Sequence, residues 1–140
     1  MAIAALDHVN IRLPDIRGTV AFLEDVLAMR VVPPPGATST ETSAWALDAE
    51  GLPVLHIGRT DLTYPGDAER PFTPALGSGA IHHVAFRCTG FEAMKRRLEG
   101  QAIPYSENHV PHAKLRQLFV SDPSRILFEL NFRDDEPAQG

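Results

Sequence analysis

The sequence predicts an α+β fold made of two copies of one βαβββ module. Three observations predict it: a strand motif that recurs 75 residues later, an amphipathic helical stripe after each copy, and three short strand-like runs after each stripe. Leu6-Asp7-His8-Val9-Asn10-Ile11-Arg12 and Ile81-His82-His83-Val84-Ala85-Phe86-Arg87 share one pattern of apolar, polar, His, Val, small, apolar, Arg. Each alternates apolar and polar residues, as a half-buried strand does.

The remaining elements follow in order. After the first strand, Val20, Leu23 and Leu27 recur at helical spacing, widened by Phe22 and Val26, with Asp15 as N-cap. Three strands are expected near Arg30 to Pro33, Ser43 to Asp48 and Pro53 to Gly58. In the second half, Phe91, Met94 and Leu98 form the helical stripe. Thr89-Gly90-Phe91-Glu92 reads as a capping box, and Gly100 sits at the expected stop. Strands follow near Pro104 to Glu107, Leu115 to Ser121 and Arg125 to Phe132, with Asp122-Pro123-Ser124 as a turn. The expected organisation is a first module over 1–60, a linker rich in Pro and Gly over 61–79, a second module over 80–133 and a flexible tail over 134–140.

Bulk properties narrow the function. The 140 residues carry a net charge of −5, which argues against nucleic acid as a partner because binding it needs a basic face. The single basic run, Lys95-Arg96-Arg97, reads as a solvated helix face. One cysteine, Cys88, excludes an internal disulfide and thiolate zinc motifs. No apolar run approaches the roughly 20 residues that cross a bilayer, and Met1 to Leu6 lacks the pattern of a signal peptide. A soluble cytoplasmic protein without membrane association is expected.

Strand parity then sorts the chemistry-bearing side chains. Val9, Ile11 and Leu13 share one face of the first strand, and His8, Asn10 and Arg12 share the other. Likewise His83 lies opposite Val84 and Phe86, His56 opposite Leu55 and Ile57, and Glu129 opposite Phe128 and Leu130. Four strands thus place a metal-ligand type on the face away from the helices, and His56 and Glu129 are equivalent under the repeat. Two neutral imidazoles and one carboxylate suit Fe, Mn, Ni or Zn and leave coordination positions open. His8, His83 and Glu129 are the expected ligands. His56 is a fourth ligand, a partner that orients Glu129, or a substrate contact.

Several other residues are candidates. Gln117 and Phe119 share a strand face and point toward substrate. Arg12 and Arg87 are either carboxylate- or phosphonate-binding residues or strand-end surface charges. His109, with His112 on a loop beside Pro111, is a candidate general base, and Tyr105 a candidate acid. His82 reads as structural. No phosphate-binding glycine loop or nucleophile elbow is evident.

Taken together, these motifs make the chain resemble the vicinal oxygen chelate superfamily of glyoxalase I, fosfomycin-resistance enzymes, methylmalonyl-CoA epimerase, extradiol dioxygenases and bleomycin-resistance proteins. The resemblance runs from about residue 5 to 132. It rests on Leu6-Asp7-His8-Val9, Phe22 to Leu27, His82 to Phe86, Phe119 to Ser124 and Phe128-Glu129-Leu130. It implies paired modules forming a cupped, partly open mixed barrel around a divalent metal, with His8, His83 and Glu129 at the ligand positions. It also implies a homodimer acting on a small molecule chelated through adjacent oxygens, by lyase, isomerase or dioxygenase chemistry. The alternative it offers is a metal-free sequestering protein of the bleomycin-resistance type. Two departures stand out. His56 replaces the Glu or Gln of glyoxalase and epimerase relatives, and Arg125 replaces a turn Gly.

Overall fold

A computed structural model of the chain describes residues 1–63, 65, 67–69, 73, 77 and 79–135. Much of the expected linker, and residues 136–140 of the expected tail, lie outside the described residues. The chain divides into two units, Met1–Ala75 and Leu76–Gly140.

The first unit runs β1 (Val9–Leu13), α1 (Ile16–Ala21), β2 (Arg30–Val32), β3 (Ser43–Leu47) and β4 (Pro53–Arg59). The second runs β5 (Val84–Cys88), α2 (Phe91–Gly100), β6 (Ser106–Val110), β7 (Leu115–Ser121) and β8 (Leu127–Arg133). Each unit holds one four-stranded mixed sheet, and the orders correspond: β1-β4-β3-β2 and β5-β8-β7-β6. The first and last strands of each unit pair in parallel and the other pairs are antiparallel. The fold is α+β, as the repeat predicts.

Alternation decides which face of each sheet is buried. Ile11, Leu13, Leu55 and Ile57 are buried in the first unit, and Leu118, Val120, Phe128, Leu130 and Phe132 in the second. Removing each such side chain from water contributes about 1.5–3 kcal/mol. The helices carry matching stripes: Ile16, Phe22, Leu23 and Val26 in one unit, Phe91, Met94 and Leu98 in the other. The chemistry-bearing residues are left on the opposite faces.

Four details differ from the sequence reading. Asp15 caps α1, its side chain accepting from the Gly18 amide at 3.2 Å. Past Ala21, however, the helix widens into a π turn over Phe22–Val26, with the Leu27 amide bonded to the Phe22 carbonyl. That extra residue per turn keeps Phe22, Leu23 and Val26 buried and leaves Val20 and Leu27 half-buried. The expected capping box does not form. Gly90 is the N-cap, in a left-handed conformation with no side-chain cap bond, so Glu92 falls one place short of the reciprocal position. At the other end of α2 the chain runs past Gly100, and Ala102 takes the left-handed position. The Ile103 amide bonds the Leu98 carbonyl and the Ala102 amide the Glu99 carbonyl, a Schellman ending. Finally, β6 starts later than expected and includes His109, which the sequence had assigned to a loop.

Candidate functional site

The candidate ligands divide two and two between the units. In the first, His8 immediately precedes β1 and His56 sits in mid-β4. Asn10 pairs with His56 across the parallel β1–β4 ladder, and Trp45 pairs with His56 across β3–β4. The three rings stack: His8 on His56 at 3.6 Å between centroids and 12° between planes, Trp45 on His56 at 4.3 Å and 11°. His8 Nδ1 lies 2.6 Å from Asp7 Oδ2. Burial above all, and the neighbouring His8 next, lower the tendency of His56 to protonate, against opposing pulls from Asp7 and the Pro53 carbonyl. His56 Nε2 is buried and has no hydrogen-bond partner among the described residues.

In the second unit, His83 immediately precedes β5 and Glu129 lies in mid-β8. His83 Nε2 is 3.8 Å from Glu129 Oε2. Two atoms closer than about 4.2 Å, twice a metal–ligand bond of about 2.1 Å, can share one ion. His83 Nδ1 lies 3.0 Å from His82 Nδ1, which leaves Nε2 as the atom turned to the carboxylate. Within either unit, among the described residues, no three His, Cys, Asp or Glu side chains form a ligand group.

A line of amides supports Glu129. Asn131 Nδ2 donates to Glu129 Oε2 at 2.9 Å, Gln117 Nε2 donates to Asn131 Oδ1 at 2.9 Å, and Asn108 Nδ2 donates to Gln117 Oε1 at 2.8 Å. Register produces this line, because Asn108 pairs with Gln117 and Gln117 with Asn131 on adjacent strands. Phe119 pairs with Glu129 just as Trp45 pairs with His56, so each unit sets an aromatic ring opposite its mid-strand ligand type.

The other candidates are placed as follows. Arg12 is part-buried and committed to structure, with contacts to both Asp67 oxygens at 3.2 and 3.3 Å and hydrogen bonds to the Thr60 and Leu62 carbonyls. Arg87 is exposed and pairs in register with Asn131. Tyr105 donates to Glu99 on α2 at 2.7 Å, and that bond above all raises its phenol above the ordinary range. His109 pairs with Arg116 in register, sits 2.7 Å from Asp134, and shares the strand face of Glu107 and Arg116 rather than that of Asn108 and Gln117. Neither Tyr105 nor His109 joins Glu129. Sequence reasoning gave no role to Trp45, the one tryptophan, or to Asn108, and placed Asn131 only by parity, on the face of Glu129. Trp45 was recoverable from its spacing to Phe119 under the repeat. The amide line was not, because it needs the strand register.

Comparison with known proteins agrees with this architecture. Residues 5–130 match the Glyoxalase/Bleomycin resistance protein/Dioxygenase superfamily. The chain belongs to that superfamily, the vicinal oxygen chelate group. It is 31% identical over 83 residues to the chlorohydroquinone/hydroquinone 1,2-dioxygenase of Sphingobium indicum, a match covering 54% of this chain and 26% of that protein. The chain therefore spans about a quarter of the curated relative it matches. Among solved structures, the lactoylglutathione lyase of Agrobacterium tumefaciens superposes with a TM-score of 0.67 at 18% identity, over 94% of this chain and 96% of that one. A genomically encoded fosfomycin resistance protein of Listeria monocytogenes gives 0.66 at 20% identity, over 95% and 93%. A mutant of that protein has been solved with Mn(II) and a dihydroxypropylphosphonic acid. At these identities the structural likeness establishes the fold.

Proposed function

We propose that the protein is a divalent-metal-dependent enzyme acting on a small molecule that offers two adjacent oxygens, with His8, His83 and Glu129 as the metal ligands. The observation that carries the reading is the His83 Nε2–Glu129 Oε2 distance of 3.8 Å, with both side chains on the sheet face away from α2. The donor set fits such an ion: two imidazoles and a carboxylate, with His8 Nδ1 held by Asp7 and Nε2 left as the donor atom. Superfamily membership and the dioxygenase match support glyoxalase- or dioxygenase-type chemistry as a class.

An ion of the Fe, Mn, Ni or Zn type supplies Lewis acidity to neighbouring substrate oxygens. The protein's own residues supply orientation. Asn131 occupies a lone pair of Glu129 Oε2 and so sets the carboxylate's rotation, while Gln117 holds Asn131 in turn. Phe119, opposite Glu129, gives the site an apolar wall. Arg87, on the same strand face, offers a cation to an anionic substrate group. The reading extends to a homodimer, tested by light scattering. A mass of 15.3 kDa in solution would remove that part of it.

The test is metal analysis of protein purified without added metal, followed by titration with Mn(II), Fe(II), Ni(II) and Zn(II). About one equivalent of tight uptake is expected, lost in His8→Ala, His83→Ala and Glu129→Ala. Less than about 0.2 equivalents with no tight uptake on titration would instead favour the metal-free sequestering protein.

A further inference from the structure

We propose that His56 is a positioning residue that holds the imidazole plane of His8 through a three-ring ladder with Trp45, and that it does not ligate the ion itself. The inference rests on the reading of His8 as a ligand and names the support for that site.

The geometry argues it directly. An imidazole binds a metal through a lone pair lying in its own ring plane, at about 2.0–2.1 Å. The His8 and His56 planes are within 12° of parallel and their centroids are 3.6 Å apart. An ion in the plane of one ring and bonded to it stands well out of the plane of the other. One ion therefore cannot take a lone pair from both rings while the stack stands. His56 Nε2, moreover, is closed off from solvent. His8 keeps the ligand role because Asp7 holds its Nδ1 at 2.6 Å and leaves Nε2 as its donor atom.

The fold explains why His8 needs this support. It stands one residue before β1, outside the paired register that begins at Val9. Strand order β1-β4-β3 sets His56 between His8 and Trp45. Trp45 is anchored in mid-β3 by pairing with both Val32 and His56. Trp45 thus backs His56, and His56 backs His8. Asp7 sets the rotation of the His8 ring within its plane, and the stack sets the plane.

The test compares His56→Phe, which keeps a ring and deletes both nitrogens, with His56→Ala, which deletes the ring. In the metal-free protein, NMR reads the His8 ring-proton shifts. Wild type and His56→Phe should show them displaced by the neighbouring ring, and His56→Ala should return them to free-histidine values. In titrations with manganese(II) chloride, His56→Phe should bind within about threefold of wild type. His56→Ala should bind roughly tenfold more weakly, the low end of what loss of a ligand's supporting contacts costs. Trp45→Leu removes the ladder's outer ring while leaving His56 whole, and should shift the same NMR signals in the direction of His56→Ala. Equal loss of affinity in His56→Phe and His56→Ala would make His56 a ligand and overturn the proposal. Unchanged His8 shifts in both His56→Ala and Trp45→Leu would overturn it too. If wild type takes up no ion while the shifts follow the ladder, the metalloenzyme reading fails and the positioning of His8 by His56 stands.

Discussion

The repeat is visible at single residues in places where only backbone angles reveal it. Ala28 and Ala102 end equivalent helical segments 74 residues apart, with φ of 57° and 54°. Gly51 and Arg125 occupy equivalent turns at the same offset, with φ of 85° and 66°. Both turns are closed by an aspartate: Asp48 Oδ1 accepts from the Glu50 and Leu52 amides, and Asp122 Oδ1 from the Ile126 amide. A left-handed conformation costs a residue with a Cβ about 1–2 kcal/mol. Glycine returns about 0.4–1 kcal/mol of that through the more flexible unfolded chain. Ala102→Gly and Arg125→Gly should therefore each raise stability by about 0.5–1 kcal/mol, read from urea unfolding. Gly51→Ala is the converse. Nothing lies within 4 Å of the added Cβ, so the loss is purely conformational, about 1 kcal/mol, and a neutral result would show that the turn relaxes. The sequence flagged Arg125 as a departure from the family turn. It could not show that the residue pays a conformational cost there.

At the level of elements, burial pattern was legible and termini were not. The sequence placed β7 at its observed bounds, Leu115 to Ser121, because the Asp122-Pro123-Ser124 turn marks its end and Leu118 and Val120, two residues apart, supply its buried face. The π turn at Phe22–Val26 escaped, since a stripe of Val20, Leu23 and Leu27 fits a regular helix equally well until packing selects Phe22 and Val26. The Thr89–Glu92 box escaped because its spacing was right but its start was one residue early. Two expectations belong to this scale. Leu98, fully buried on α2, should cost about 2–5 kcal/mol when cut to Ala. Its thermal midpoint should fall accordingly. Asn131→Ala should leave Gln117 and Glu129 each short of a partner. It should cost about 1 kcal/mol, the lower end for a part-buried polar pair. Under the proposed function it should also weaken Mn(II) uptake by about tenfold. A variant that loses stability but keeps its metal affinity would assign the amides to the fold alone.

At the scale of the whole molecule, each unit carries its own sheet, its own buried face and one pair of ligand types, His8 with His56 and His83 with Glu129. Equivalent positions therefore diverged. One mid-strand position holds an imidazole inside a ring stack, the other a carboxylate at the end of an amide line. A ligand that binds only the folded protein adds stability by mass action, about 2.7 kcal/mol at a hundred times its dissociation constant. Saturating Mn(II) should raise the unfolding midpoint of wild type, and a chelator should reverse the rise. His83→Ala and Glu129→Ala should show no such response. An equal rise in those variants would mean that the ion binds elsewhere.

The sequence alone determined the number of modules, the faces of the strands and the residue types on each face, because period-two alternation and a long-offset repeat are properties of the chain read in order. Tertiary structure decided which of those side chains meet. Trp45 reaches His56, and Asn108 reaches Glu129 through Gln117 and Asn131, only because β3 lies beside β4 and β7 lies between β6 and β8 in one register. Parity tells which way a side chain points. Strand order and register tell what it points at, and these are set by packing between segments far apart in the chain.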